Sequence, residues 1–192
     1  RAVYSAERER SVGVGALGFH AYLQRRGMPW ESALAKSANI KMFKHIRKGL
    51  DEANLKLGKE RGEAPDAKDT GRRCSHVMAV APNASSSIIM GNTSPSIEPW
   101  RANAYRQDTL SGSFLNKNKY LDKLLRQKCE EDSSLDYDKL WSSIIANDGS
   151  VQNLKCLSEY EKDIYKTAME IDQRWVIEHA ADRQEYIDQS QS

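Results

Sequence analysis

The sequence predicts an α/β fold that is mostly helical and contains few short strands. Apolar residues recur at helical spacing along most of the chain. One short apolar segment, residues 75–82, ends at Pro82 and has the character of a buried strand. The 192 residues are enough for one ordinary domain with a hydrophobic core.

The first part of the chain reads as helices separated by glycine and proline. A helix is predicted after Gly18, and it stops near Gly27. A longer helix is predicted over residues 31–57, with one apolar face made by Leu34, Ile40, Phe43, Ile46, Leu50 and Leu57. Residues 58–73 are charged and rich in helix breakers, so they predict a surface loop.

Beyond the strand candidate, a low-charge segment rich in Ser, Asn, Gly and Pro runs to residue 100, and helices then return. Their apolar positions are Leu121, Leu124 and Leu125, followed by Leu140, Trp141, Ile144 and Ile145. Ser158 and Glu161 have the spacing of a capping box. A last helical stripe is predicted from Ile164, Ala168, Ile171 and Trp175.

Gly13, Gly15 and Gly18 have the G-x-G-x-x-G spacing of a dinucleotide-binding turn. That motif needs a buried strand before it and an acidic residue about 20 positions later. Residues 1–11 are charged and helix-compatible, and residues 32–50 contain no acid. We therefore expect small residues that let a helix start pack closely against a neighbour. An NAD-dependent oxidoreductase would require a strand before the first glycine.

Composition restricts the classes of partner and cofactor. The 29 Lys and Arg nearly balance the 27 Asp and Glu, so the net charge of +2 favours neither nucleic acid nor an anionic membrane as partner. No apolar run has membrane-spanning length. Cys74, Cys129 and Cys156 are far apart and lack zinc-site spacing, so we expect no metal or cofactor in this chain and a reducing, cytoplasmic location. Because residue 1 is Arg, the chain is expected to be a piece of a longer protein.

The segment with most chemical content follows the predicted strand. A helical turn that starts at Ser85–Ser87 would direct unpaired backbone amides toward the strand end, which creates an anion site without lysine. The candidate binding residues are Pro82, Asn83, Ala84, Ser85 and Ser86. The alternative is that Ser and Asn satisfy ordinary turns and caps here. The segment would then only connect elements of a helical scaffold or interaction module with no activity of its own.

The stretch "MAVAPNASSSIIMGNTSPSIEPW" resembles the catalytic (large, alpha) subunit of aerobic, class I ribonucleotide reductase, especially the type carried by T4-like phages and related bacteria. In that family a barrel strand ends in a Pro-x-x-Ser/Thr-Ser-Ser loop, followed by a short helix, an Asn-containing turn and Ile-Glu-Pro. Three further stretches also match: "RSVGVGALGFHAYLQ", "RANAYRQDTLSGSF" and "DRQEYIDQSQS". The resemblance covers nearly the whole chain.

The resemblance implies that residues 1–192 are the C-terminal part of the family's ten-stranded α/β barrel, as an incomplete domain. Residues 82–100 would be the substrate-phosphate loop and the turn after it, with the five candidate residues holding the diphosphate. The implied activity is that of a ribonucleoside-diphosphate reductase, an oxidoreductase that supplies deoxyribonucleoside diphosphates for DNA synthesis.

The chain departs from the family where the radical chemistry belongs. The thiyl cysteine pattern Asn-x-Cys-x-Glu is absent from the sequence, so no catalytic residue is assigned, and the chain alone is expected to be inactive. The resemblance implies four partners: the remainder of the alpha subunit, a second alpha subunit in a homodimer, a metal-containing, radical-generating beta subunit, and a thioredoxin or glutaredoxin as dithiol reductant. It also implies a cytoplasmic location, or the host cytoplasm for a phage-encoded protein.

Overall fold

The computed structural model describes residues 1–110 and 112–191 and has the expected mostly helical α/β fold. The helices are α1 (Ala2–Glu9), α2 (Phe19–Arg25), α3 (Ala33–Arg61), α4 (Ala84–Ile89), α5 (Lys119–Glu131), α6 (Tyr137–Ala146), α7 (Glu159–Ile164) and α8 (Gln173–Gln184). The strands are β1 (Ala104–Thr109) and β2 (Gly112–Lys117), and a 3-10 turn covers Pro65–Ala67. The capping box predicted before α7 is present.

The predicted strand at 75–82 forms the centre of three parallel extended segments. Val14 bridges Met78 on one side, and Val80 bridges Gln191 on the other, both in parallel orientation. Met78 and Val80 are buried, as the apolar sequence predicts. Because each side is joined by an isolated bridge, the segment does not form a regular ladder of strand hydrogen bonds.

An antiparallel hairpin, β1–β2, was not predicted from residue patterns. Its register runs from the pair Ala104 and Lys117 to the pair Thr109 and Gly112. Most of β2 is exposed, including Phe114 and Leu115, so the strands lack the apolar alternation that marks a half-buried sheet.

The core consists of two apolar clusters. The first cluster contains Phe19, Leu23, Trp30, Ala35, Phe43, Met78, Val80, Ile97, Ile171 and Ile187. The second cluster contains Ala104, Leu121, Leu125, Trp141, Ile144, Val151, Leu154, Leu157, Ile164 and Tyr165. The first thus surrounds the parallel segments, and the second joins α5, α6 and the base of the hairpin.

Buried polar side chains connect the two clusters, with Asn118 at the centre. Its Nδ2 donates to Oε1 of Gln24 on α2 and to Oδ1 of Asn103 before β1, at 2.8 Å each. Its Oδ1 accepts from the backbone amides of Tyr120 and Leu121, and so caps α5. One side chain therefore fixes the start of α5, the end of α2 and the entry to the hairpin.

Asn103 and His20 make further buried hydrogen bonds close to this network. Nδ2 of Asn103 donates to the carbonyls of Gly149 at 3.0 Å and Tyr165 at 2.7 Å. The amide of Trp100 donates to Nδ1 of His20 at 2.9 Å. His20 and Asn103 are both buried, so these bonds satisfy groups that would otherwise be costly to remove from water.

The predicted surface loop at 58–73 begins too early, because α3 continues through Arg61. Gly58 is buried within α3, and a Cβ there would lie 1.9 Å from the carbonyl oxygen of Gly71. This glycine permits close contact between helix and loop instead of ending the helix. Beyond the helix, Ala64 is fully buried, so the loop packs against the protein.

Two details of the predicted stripes are also wrong. Leu34, assigned to the apolar face of α3, is 60% exposed, whereas the neighbouring Ala35 is fully buried. The last stripe is divided between two helices, since α7 ends at Ile164 and Asp172 caps a separate α8. Ile171 still reaches the first cluster, because burial does not require one continuous helix.

The contact at Gly58 yields a prediction about stability. Gly58→Ala should lower the free energy of unfolding by about 2–3 kcal/mol, because the new methyl group meets backbone that cannot move aside as a side chain would. Gly49, on the same helix, has open space around its Cβ position. Gly49→Ala should raise the free energy of unfolding by about 0.5–1 kcal/mol. Urea unfolding of the two variants measures both changes in the free energy of unfolding. Equal changes would contradict the close packing of Gly58 against Gly71.

The buried imidazole of His20 yields a prediction about pH. Burial lowers the pKa of His20 from 6.5 to about 3. Between these values the unfolded chain binds a proton at this residue and the folded chain does not. The free energy of unfolding should therefore fall as the pH drops below 6.5, by about 1.4 kcal/mol per pH unit from this group.

His20→Asn keeps an acceptor for the Trp100 amide but cannot titrate. Urea unfolding between pH 7 and pH 4.5 should show that the free energy of unfolding depends less steeply on pH in the variant. The difference between the two slopes should correspond to about one bound proton. Because both proteins contain the same carboxylates, the contribution of these groups cancels when the two slopes are subtracted. Parallel curves for the two proteins would contradict the assignment.

Candidate functional site

The amino terminus of α2 lies directly after the three glycines, and three of the amides there already have acceptors. The amides of Gly18 and Phe19 donate to the carbonyls of Ser94 at 2.9 Å and Ser96 at 3.3 Å. The amide of Ala21 donates to Oγ of Ser94 at 3.1 Å. Helix α1 precedes the motif, and extended structure begins only at the motif itself. The dinucleotide hypothesis therefore lacks both its strand and its amides.

The glycines instead allow close packing, as expected. A Cβ at Gly15 would lie 2.8 Å from the carbonyl oxygen of Ala79. A Cβ at Gly18 would lie 2.7 Å from Oγ1 of Thr93, and Gly18 also has a φ of +82°. The motif thus lets the residues after α4 lie across the start of α2.

The candidate loop, Pro82 to Ser86, follows the central extended segment, and α4 begins at Ala84, one residue before the helical turn expected at Ser85–Ser87. Asn83 precedes the helix with a φ of 53° and gives no side-chain cap. Within the described residues, the backbone amides of Ala84, Ser85 and Ser86 make no hydrogen bond. Three donors at the end of a parallel segment are thus available to an anion.

The loop lies on the open surface of the chain. Pro82, Ala84, Ser85 and Ser86 are exposed, and Asn83 is half-buried. A cavity of about 10 Å³ lies beside the turn that follows α4, and it has room for one water molecule. This cavity is lined by Asn92, Trp100, Ala102, Tyr105, Lys117 and Asn118.

All three cysteines have free thiols. Cys74 is buried, and Cys129 and Cys156 are half-buried. Burial raises the pKa of the Cys156 thiol, so the thiolate is disfavoured. Across residues 1–110 and 112–191 no group of three His, Cys, Asp or Glu side chains is placed to hold a metal ion. In the same residues no helix is both long and apolar enough to cross a membrane.

Parallel extended segments packed among helices, with unpaired helix amides after the central segment, define a protein of the α/β barrel class. A family model described as "Ribonucleotide reductase, barrel domain" matches residues 1–68 and 64–192. The chain is 58% identical to the ribonucleoside-diphosphate reductase large subunit of Invertebrate iridescent virus 6, over all of this chain and 20% of the relative. It is 55% identical to that of Invertebrate iridescent virus 3, over all of this chain and 30% of the relative.

A solved structure agrees with these matches. The class Id ribonucleotide reductase alpha subunit of Actinobacillus ureae superposes with a TM-score of 0.88 and 41% identity, over 98% of this chain and 33% of that one. The chain therefore belongs to the ribonucleotide reductase barrel-domain family. It spans between 20% and 33% of the length of these relatives.

Proposed function

We propose that the chain is part of the alpha subunit of a ribonucleoside-diphosphate reductase and contributes the loop that binds the substrate diphosphate. The support is a family match along the whole chain, together with 41% identity to a solved alpha subunit. A helical interaction module is the weaker alternative, because it does not account for extended segments that match a barrel.

The observation that carries the proposal is the set of unpaired amides on Ala84, Ser85 and Ser86. Phosphate oxygens accept hydrogen bonds from such amides, and the positive end of the helix favours their charge. Asn83 and the two serine hydroxyls add side-chain donors, while Pro82 ends the extended segment that positions the loop. Because the binding is through the backbone, no lysine or arginine is required.

The rest of the proposed reaction depends on groups outside this chain. Reduction replaces the 2′-hydroxyl of the ribose by hydrogen, releases water and converts a dithiol to a disulfide. We propose that the remainder of the alpha subunit supplies the thiyl cysteine and that a metal-containing beta subunit generates the radical. An external thioredoxin or glutaredoxin would restore the dithiol, in the cytoplasm or host cytoplasm, with alpha as a homodimer.

The proposal is tested in a chimera in which residues 1–192 replace the matching segment of the Actinobacillus ureae alpha subunit. Ser85→Pro removes one amide at a position in the first helical turn, where proline is least disruptive. Loss of one hydrogen bond to a charged group should weaken binding of CDP or ADP by about tenfold to a hundredfold, measured by calorimetry.

Ser85→Ala is the matched control, since it removes the hydroxyl and keeps the amide. Its affinity for the diphosphates should be at least about tenfold higher than that of Ser85→Pro, which lacks the amide as well as the hydroxyl. Binding of the corresponding nucleoside, which has no phosphate, should be the same in both variants. Equal diphosphate affinity for Ser85→Pro and Ser85→Ala would show that the Ser85 amide does not bind the phosphates and would contradict the proposal that the backbone amides carry the binding.

A further inference from the structure

We propose that Tyr105 of the β1–β2 hairpin is a positioning residue that fixes α4, and with it the proposed phosphate loop, through a hydrogen bond to Asn92. The hydroxyl of Tyr105 donates to Oδ1 of Asn92 at 2.7 Å. The effect on substrate rests on the proposed function, whereas the effect on α4 can be measured without any substrate.

Packing alone does not determine the direction of α4. The helix has only six residues, and Ser87 is the only buried residue among them. Ile89 is 82% exposed, and Met90, which ends the helix, is 66% exposed. A short helix with so little buried surface depends on polar contacts at its ends for its orientation.

The turn after α4 provides such contacts. Gly91 and Asn92 both have left-handed backbone, with φ of 83° and 52°. In this turn the amide of Asn92 donates to the carbonyl of Ile88, and the amide of Thr93 donates to the carbonyl of Ser87, each at 3.0 Å. The helix end is therefore fixed only while the turn keeps this unusual conformation.

Two side chains from outside the helix hold the turn. One is Tyr105, and the other is Lys119, whose Nζ lies 3.3 Å from the carbonyl oxygen of Gly91. Lys119 is exposed, so water competes with its contact, whereas Tyr105 is half-buried beside the small cavity. Burial raises the pKa of Tyr105, so the hydroxyl keeps its proton and remains a donor.

Tyr105 is itself well anchored. Two residues before it, Asn103 takes part in the buried network that joins the apolar clusters. The adjacent Ala104 is buried in the second cluster. The backbone next to Tyr105 is therefore held in place by the core. The hydrogen bond from its hydroxyl then holds the turn at Asn92 in place relative to the core.

The first experiment is hydrogen exchange on the chain itself, at the amides of residues 88–93. Tyr105→Phe should speed this exchange by about fivefold to tenfold, since one hydrogen bond is lost. Tyr160→Phe is the matched control, because its hydroxyl donates to the carbonyl of Gly27 at 2.9 Å, far from α4 in sequence. It should leave these amides unchanged. Unchanged exchange in Tyr105→Phe overturns the proposal.

Variants of Asn92 separate the hydrogen bond from the backbone conformation. Asn92→Gly keeps access to the left-handed turn but removes the acceptor, so it should match Tyr105→Phe, and the double variant should add no further effect. Asn92→Asp keeps an acceptor and should behave as the unmodified chain. Additive effects in the double variant would show that the two residues act separately and would overturn the proposal.

The second experiment measures kinetics in the chimera described above. Tyr105→Phe should raise KM for the ribonucleoside diphosphate about threefold to tenfold while kcat stays within about twofold, because positioning of the phosphates is affected and the reacting groups are not. An unchanged KM overturns the role in substrate positioning. If Ser85→Pro also leaves diphosphate binding intact, the proposed function has failed, and the exchange result still decides whether Tyr105 fixes α4.

Discussion

The fold depends most on a constraint met by Asn118: every hydrogen-bonding group of a buried amide side chain must have a partner. Asn118 bonds to Gln24 and Asn103 and also caps α5, so it connects both apolar clusters at one point. Loss of the side chain would leave several buried donors and acceptors unpaired at once, which costs more than the individual bonds contribute.

The network also supports the turn behind the proposed phosphate loop. Asn103 fixes the base of the hairpin, and the hairpin contacts the turn behind α4 through Tyr105. The residues that follow this turn contact the start of α2, where Ser94 and Ser96 accept hydrogen bonds from its amides. At the start of α2 most amides therefore bond to Ser94 and Ser96. At the start of α4 the amides of Ala84, Ser85 and Ser86 make no hydrogen bond to the part of the chain that the structure describes.

Residue patterns predicted features that depend on local chemistry. The buried positions Leu121, Leu125 and Trp141 and the Ser158 cap follow from spacing alone. They could not predict features that depend on distant contacts. Glycine usually weakens a helix, so the sequence around Gly58 predicts a helix end. The close contact between Gly58 and Gly71 explains why glycine lies within α3. The hairpin packs into the core at its base, through Ala104, and β2 is mostly exposed, so its strands carry no periodic signal.

The three glycines before α2 have a consequence for how such sequences are interpreted. A pattern scan for G-x-G-x-x-G retrieves this chain among nucleotide-cofactor proteins, although the helix that follows has its first-turn donors occupied by Ser94 and Ser96. Inspecting whether those donors are already satisfied is a simple filter for false matches. Applied to other chains, it separates glycines that admit a ligand from glycines that admit a neighbouring segment of the same polypeptide.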